Sequence, residues 1–393
     1  MANALNFNQC ATLLNAVRAQ ATGVNAAAPV NYNEFVTVAQ TTLLSGYDNV
    51  INAISQVLSK TVFSIRPYSR KFKGLHMDEA RYGNHIRKLS PVDSDVSEDD
   101  RYKLTNGKAV DQQQVKKPDA VQVNFYGQEV WERHITLFKD QLDVAFSSAE
   151  EFGRFIGMIM QNVSDQIEHD NETAARATLV NFIGGKIAMA NDKADNAVHV
   201  VNLVSEYNRV HGTEIAVADV HKAEVYPAFI KWAMGYIKTV SDMMTERSSL
   251  YHRNVSGKIV SRHTPREKQR LYMLASEINS METGVFSSVF NENYLKTVDF
   301  EPVSFWQSIK DPATISGTAK YMKVDGTLAD AEIPADPVFA VMFDEEAAGV
   351  TTVNQWTATA PFNARGGYTN MFWHYTNRYY NDFTENGVVF LLK

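Results

Sequence analysis

The sequence has a single cysteine, Cys10, among 393 residues. No disulfide can form within the chain, and a reducing compartment is the expected setting. No apolar run comes near the roughly 20 residues that a bilayer span requires. The opening residues, Met1 to Gln9, carry neither a basic cluster nor a sustained apolar segment, so no secretory leader is expected. Positive charge is not in excess. A formal net charge of −7 argues against electrostatic capture of nucleic acid, though not against enclosing it. There is no Gly/Ser linker and no clear internal repeat, so domains are expected to interleave rather than follow one another in sequence.

Motifs of catalysis are missing too. There is no phosphate-binding G-x-x-x-x-G-K-[ST] loop, no G-x-G-x-x-G turn, no G-x-S-x-G elbow and no H-E-x-x-H helix. Asp93, Asp95, Ser97 and Asp99 begin like a calcium loop. Glu98 stands where that loop needs glycine, and Leu104 where it needs its bidentate glutamate. His211 with His221, and His252 with His263, lack partners at metal-ligand spacing. Glu168, His169 and Asp170 are consecutive on a helical stretch and point in different directions, so they cannot converge on one substrate atom. No cofactor and no metal site is expected.

What is present is enough apolar residue, 45%, to bury a sizeable core, arranged in an unusual order. Residues 1–60 hold two amphipathic stretches, marked by Leu13, Leu14 and Val17 and by Val50, Ile51, Ile54, Val57 and Leu58, with a loop around Ala21–Asn33. Such helices need a partner surface, on their own subunit or on a neighbour. Residues 61–140 read as a long β-hairpin: an outgoing strand from Thr61–Ile65, a return strand from Val121 to Phe138, and a tip between Pro91 and Pro118. Its base is basic, with Arg66, Arg70, Lys71, Lys73, Arg81, Arg87 and Lys88 against Asp78 and Glu79. Its tip is acidic, with Asp93, Asp95, Glu98, Asp99 and Asp100.

A long helix follows. Ser148 with Glu151 three residues on is a capping-box pattern. Phe152, Phe155, Ile156, Ile159, Met160, Val163, Ile167, Ala174, Ala177 and Val180 recur at helical steps, and Gly184-Gly185 supplies the expected stop. About 36 residues would make roughly 54 Å of helix. Beyond it, Pro227 opens a second helix, Leu271–Leu274 and Val338–Phe343 read as strands, and a short helix is expected near Val285–Leu295. The aromatic run Phe372, Trp373, Tyr375, Tyr379 and Tyr380 fits a packed strand better than a base-stacking surface, since only Arg378 interleaves it. Asn386-Gly387 before Val388–Leu392 signals a terminal hairpin.

In this order the sequence resembles the major capsid proteins of tailed bacteriophages, of the HK-97-type fold, and is most similar to the short-tailed phi-29-type branch. The residues that carry the resemblance are Arg70-Lys71-Phe72-Lys73-Gly74 at the hairpin root and the segment from Asn363 through Tyr375, followed by Arg378-Tyr379-Tyr380. The resemblance implies an α+β fold. Its parts would be an N-terminal arm over 1–60, an E-loop hairpin with P-domain strands over 61–140, a P-domain spine helix over 141–200, an inserted α/β A-domain over 201–365, and terminal P-domain strands over 366–393. It implies a shell protein, not an enzyme, located in the virion capsid and assembled in the host bacterial cytoplasm. Its partners would be itself, in pentamers and hexamers, a separate scaffolding protein, a portal, and packaged double-stranded DNA held without sequence-specific binding; no membrane is implied. No immunoglobulin-like domain is expected after the last strand. The assembly contacts expected from charge are Arg70, Lys71, Lys73, Asp95, Glu98, Asp99 and Asp100. Two alternatives stay open, an encapsulin-like nanocompartment and, more remotely, a hydrolase with a flap over its site.

Overall fold

A computed structural model describes residues 5–60, 72–76, 86–94, 99–111, 113, 115, 117–192, 196–284 and 300–393. Three helices lead, α1 (Phe7–Thr22), α2 (Tyr32–Leu43) and α3 (Tyr47–Lys60). Asn6 and Gln9 close a reciprocal capping box on α1, each side chain 2.9 Å from the other's backbone N–H. Gly23, at φ 72°, ends that helix. Asn31 caps α2 by accepting from the Glu34 N–H. Leu13, Leu14, Val17, Val50, Ile51 and Ile54 are all buried, so the leader packs on its own chain.

The chain then forms β1 (Ile86–Pro91), β2 (Ala120–Phe125), β3 (Gln128–Phe138) and a short α4 (Lys139–Ala145) before the spine, α5 (Ala149–Ala190). Ser148 caps α5 by accepting from the Glu151 N–H at 3.2 Å. At 42 residues the spine is about 63 Å long. It joins two cores. Its first half, with Phe152, Ile156, Ile159 and Val163, packs with the leader helices and with Leu137, Met371 and Trp373. Its second half, with Ala175, Leu179, Phe182 and Ile183, packs against the large sheet. The buried face therefore shifts along the helix, and Ala177, expected on the apolar stripe, is exposed. Between the cores the packing is polar: the Tyr375 hydroxyl donates to Asp170 at 2.5 Å, Arg133 forks onto the same carboxylate, and Asn377 donates to Asn171 at 2.8 Å.

The remaining elements are β4 (Val200–Asn202), α6 (Leu203–His211), α7 (Tyr226–Thr245), β5 (Gln269–Leu274), α8 (Ala275–Gly284), β6 (Phe300–Val303), β7 (Thr314–Met322), β8 (Leu328–Asp344), β9 (Ala348–Thr359), β10 (Tyr368–Asn381) and β11 (Gly387–Leu391). The large sheet runs β4-β11-β8-β5-β6, with β7 paired to the first part of β8. Val338 to Phe343 is apolar without interruption because β8 is central and buried on both faces. Val341 and Phe343 meet the spine, whereas Ala340 and Met342 meet Phe229, Ile230 and Ile237 of α7. A second sheet, β3-β10-β9, lies against the first half of the spine, and among the described residues β1 pairs only with β2, antiparallel, with Pro91 opposite Ala120.

Four expectations change. Gly184-Gly185 do not stop the spine, which continues to Ala190. A Cβ on Gly184 would lie 2.7 Å from that of Ala319, and one on Gly185 would collide with the Phe383 ring, so the pair admits β7 and the turn after β10 close to the helix. The return strand is not continuous. It breaks at Tyr126-Gly127, and β3 joins a different sheet from β2. Asn386-Gly387 is not a hairpin turn either. Asn386 is buried, hydrogen-bonded to His252 and Thr264, and sends β11 into the large sheet while β10 stays in the small one. The aromatic run on β10 alternates as expected, Trp373 and Tyr375 inward, until a bulge at Thr376/Asn377 turns Arg378 inward as well. The expected strand Thr61–Ile65 and short helix Val285–Leu295 lie outside the described residues.

Candidate assembly hairpin and sheet face

The hairpin is fastened at its root by two different chemistries. The first is aromatic. Phe72 is buried at φ 60°, a left-handed conformation that costs a bulky residue roughly 1–3 kcal/mol. Packing holds it there: its ring lies 5.6 Å from that of Tyr272, and the Arg176 guanidinium sits between Phe72 and Phe305, 5.0 and 3.8 Å from their centroids. Gly74, two residues on, leaves room for Glu301 and the Tyr272 hydroxyl, each 3.0 Å from where a Cβ would stand.

The second is ionic. Lys88, on β1, reaches Glu385 at 2.5 Å, Glu346 at 3.0 Å and Asp382 at 3.3 Å. Burial alone would lower the Lys88 pKa, but the Asp382 and Glu385 carboxylates outweigh it and hold the ammonium charged above its ordinary range. Burial pushes the Glu385 carboxyl up to about 7, with Lys88 and Arg262 pulling the other way. Arg262 lies 2.5 Å from Glu385 and donates to Ser90 of β1 at 2.8 Å. Further out, Asp93 accepts from the Ser261 N–H at 2.9 Å and pairs with Arg247, and Lys258 lies 2.7 Å from Asp119. The hydrogen bond from Ser261, and then Arg247, hold Asp93 below the usual carboxylate range.

Of the residues expected from charge, Arg70, Lys71, Asp95 and Glu98 lie outside the described residues. Lys73 belongs to a short 3-10 turn, Lys73–Leu75, with only its backbone described. Asp99 and Asp100 are at the far end of the hairpin, where Asp99 accepts from the Arg101 N–H at 3.0 Å and pairs with its guanidinium. Beside them Tyr102 is 88% and Leu104 66% exposed. The charge pattern gave no sign of the socket around Lys88. Its one sequence signal is Asp382 and Glu385, two acids in a short connection between strongly apolar strands.

A second exposed feature is the face of β3-β10-β9 turned away from the spine. Across it Trp356 stacks on His374, centroids 4.0 Å apart, and Phe372 lies 6.0 Å from His134. Glu132 is 3.7 Å from His374, while Trp356 and Val130 are 50% and 68% exposed. No lysine or arginine of β3, β9 or β10 stands on that face, which suits a protein neighbour better than a phosphate backbone. Among the described residues no group of three or more His, Cys, Asp or Glu is arranged to hold a metal ion. No described helix is long and apolar enough to cross a membrane.

Comparison with known proteins gives a consistent result. The model of a family described as Phi29-like phage major capsid protein matches residues 14–391. Among solved structures, a chain of the capsid of Staphylococcus phage Andhra is similar at a TM-score of 0.52 and 11% identity, covering 83% of this chain and 84% of that one. A chain from the structure of the head fiber and inner core protein gp22 of native bacteriophage P68 is similar at 0.53 and 11%, covering 85% and 87%. No curated protein matches in sequence.

Proposed function

The chain belongs to the family of Phi29-like phage major capsid proteins, and from that premise we propose how its parts build a shell. Its fold is α+β, of the HK-97 type, its role is that of a major capsid protein, and its place is the virion capsid. The alternatives of a nanocompartment or a flap-covered hydrolase are not favoured by this membership. In the proposed assembly, copies form pentamers and hexamers that close an icosahedral shell in the host cytoplasm, with a scaffolding protein and a portal as helpers. Double-stranded DNA is enclosed without being read in sequence.

The contact proposed to drive assembly is the β1–β2 hairpin laid on a neighbouring copy. The single observation behind it is a hairpin fixed at its root and exposed at its end, where Tyr102 and Leu104 have no apolar shelter. A projection fastened at the base and exposed at the tip suits an intermolecular contact. Arg70, Lys71 and Lys73 at the base and Asp95, Glu98, Asp99 and Asp100 at the tip would set its register through complementary charge. Each exposed ion pair contributes only about 0–1 kcal/mol, but a shell repeats the contact in every copy.

Replacing Asp95, Glu98, Asp99 and Asp100 together by Asn or Gln tests this reading. The melting temperature of the unassembled chain should stay nearly unchanged. Shell yield with scaffold should fall, and wild-type yield should fall similarly at high salt. Full shell yield from the variant would remove charge from the contact.

A further inference from the structure

The Lys88 socket is assembled from parts of the chain remote from the hairpin. Glu346 comes from the turn between β8 and β9, and Asp382 and Glu385 from the connection between β10 and β11. These carboxylates have their own supports. Asp382 accepts from the Thr384 N–H at 2.9 Å and from its hydroxyl at 2.6 Å, and Arg262 is paired with Glu385. The receiving side is thus held in shape by bonds that do not involve Lys88.

The hairpin, by contrast, meets the body through a handful of contacts besides Lys88, among them the Asp93 N–H on the Ile259 carbonyl at 3.2 Å and the Ser261 N–H on Asp93 at 2.9 Å. On β1, Lys88 is opposite Val123 in a two-stranded ladder that no third strand joins among the described residues. The outer ties, Asp93 with Arg247 and Asp119 with Lys258, use side chains 30–66% exposed, and such pairs add little. The Phe125 ring meets Tyr380 at 5.1 Å, and Arg262 reaches Ser90. The hairpin ends at Tyr126-Gly127, where the chain passes from one sheet to the other. There Gly127 faces the Tyr379 carbonyl so closely that a side chain would not fit, and accepts from the Tyr379 N–H at 3.3 Å. A two-stranded ribbon is marginal without a surface to lie on, so losing the Lys88 contact, the one that seats a buried ammonium among three carboxylates, both frees the ribbon to move and weakens its ladder.

We propose that Lys88 is a latch: seated among Glu346, Asp382 and Glu385 it fixes the direction of the hairpin, and unseated it frees the hairpin to swing about Tyr126-Gly127 while the socket stays folded. The subunit then has two hairpin positions, chosen by a contact inside one chain. This is independent of which surface a neighbour offers, so it stands or falls apart from the shell contact proposed above.

Hydrogen exchange on the soluble full-length chain, resolved by mass spectrometry, tests the latch. In Lys88→Met the amides of Ile86–Ser90 and Ala120–Phe125 should exchange about tenfold faster than in the wild type, with those of β5 and β8 unchanged. Lys88→Arg, which keeps the cation, should stay within about twofold. Glu346→Gln removes a carboxylate whose side chain is 50% exposed and leaves the fold intact, so it decides the matter if Lys88→Met does not fold. A rise of about two- to fivefold confined to the hairpin is expected there. Unchanged hairpin exchange in the folded variants would overturn the latch. An equal rise across β5 and β8 would overturn it too, reducing Lys88 to an ordinary structural residue.

Discussion

Burial raises the Glu385 carboxyl from an ordinary 4.5 up to about 7, with Lys88 and Arg262 pulling it down and Asp382 adding to the rise. The folded chain holds this proton more tightly than the unfolded chain. Its contribution to stability is therefore greatest at low pH, falls as pH rises from about 4.5 to about 7, and is level beyond. The effect is a few kcal/mol at most. Chemical denaturation across that window should show Glu385→Gln losing less stability than the wild type as pH rises; parallel profiles would contradict the assignment. Gly184 makes a steric case at the same scale. Alanine normally gains about 1 kcal/mol over glycine inside a helix. Here the added methyl meets Ala319, and overpacking of about 1–3 kcal/mol should outweigh the gain. Gly184→Ala should lower the melting temperature, and a higher one would show that β7 can retreat. The sequence made Gly184-Gly185 look like a stop because the same residue serves left-handed caps and close packing, and only the facing strand distinguishes the two.

At the scale of elements, legibility followed the strength of the local signal. The start of the spine at Ser148 and the helix opened by Pro227 were readable because capping and helix-start chemistry are local. Helix α2 was not, since its buried face is only Phe35, Ala39 and Thr42, too small an apolar stripe to stand out. The partners of the strands were equally hidden: Val388–Leu392 announces a buried strand, but nothing local says that it lies between β4 and β8 rather than beside β10. That central position makes β11 indispensable. Its side chains are almost wholly buried, each contributing about 1.5–3 kcal/mol. Phe390→Ala should cost about 3–5 kcal/mol in an unfolding titration. Removing residues 388–393 should leave insoluble chain, whereas a soluble truncation with an intact circular dichroism spectrum would make β11 an accessory strand. At the root of the hairpin, Phe72 stood in a segment noted for its basic residues, while the structure shows the aromatic ring to be the anchor.

At the scale of the molecule, one 42-residue helix carries two cores and leaves the hairpin and one face of the small sheet outside both. The proposed assembly uses this division: an interior that folds alone and projections that would finish their contacts on other copies. The acidic balance fits the proposed enclosure of DNA rather than reading it, so binding to short duplexes at about 0.15 M salt should be weak and indifferent to sequence. The most direct test is a cryo-electron microscopy map of the particles formed when the full-length chain is expressed with the proposed scaffolding protein. Closed icosahedral shells of pentamers and hexamers are expected, with density for Ile86–Phe125 crossing from each subunit onto its neighbour. Shells in which every hairpin rests only on its own subunit would contradict the proposed contact.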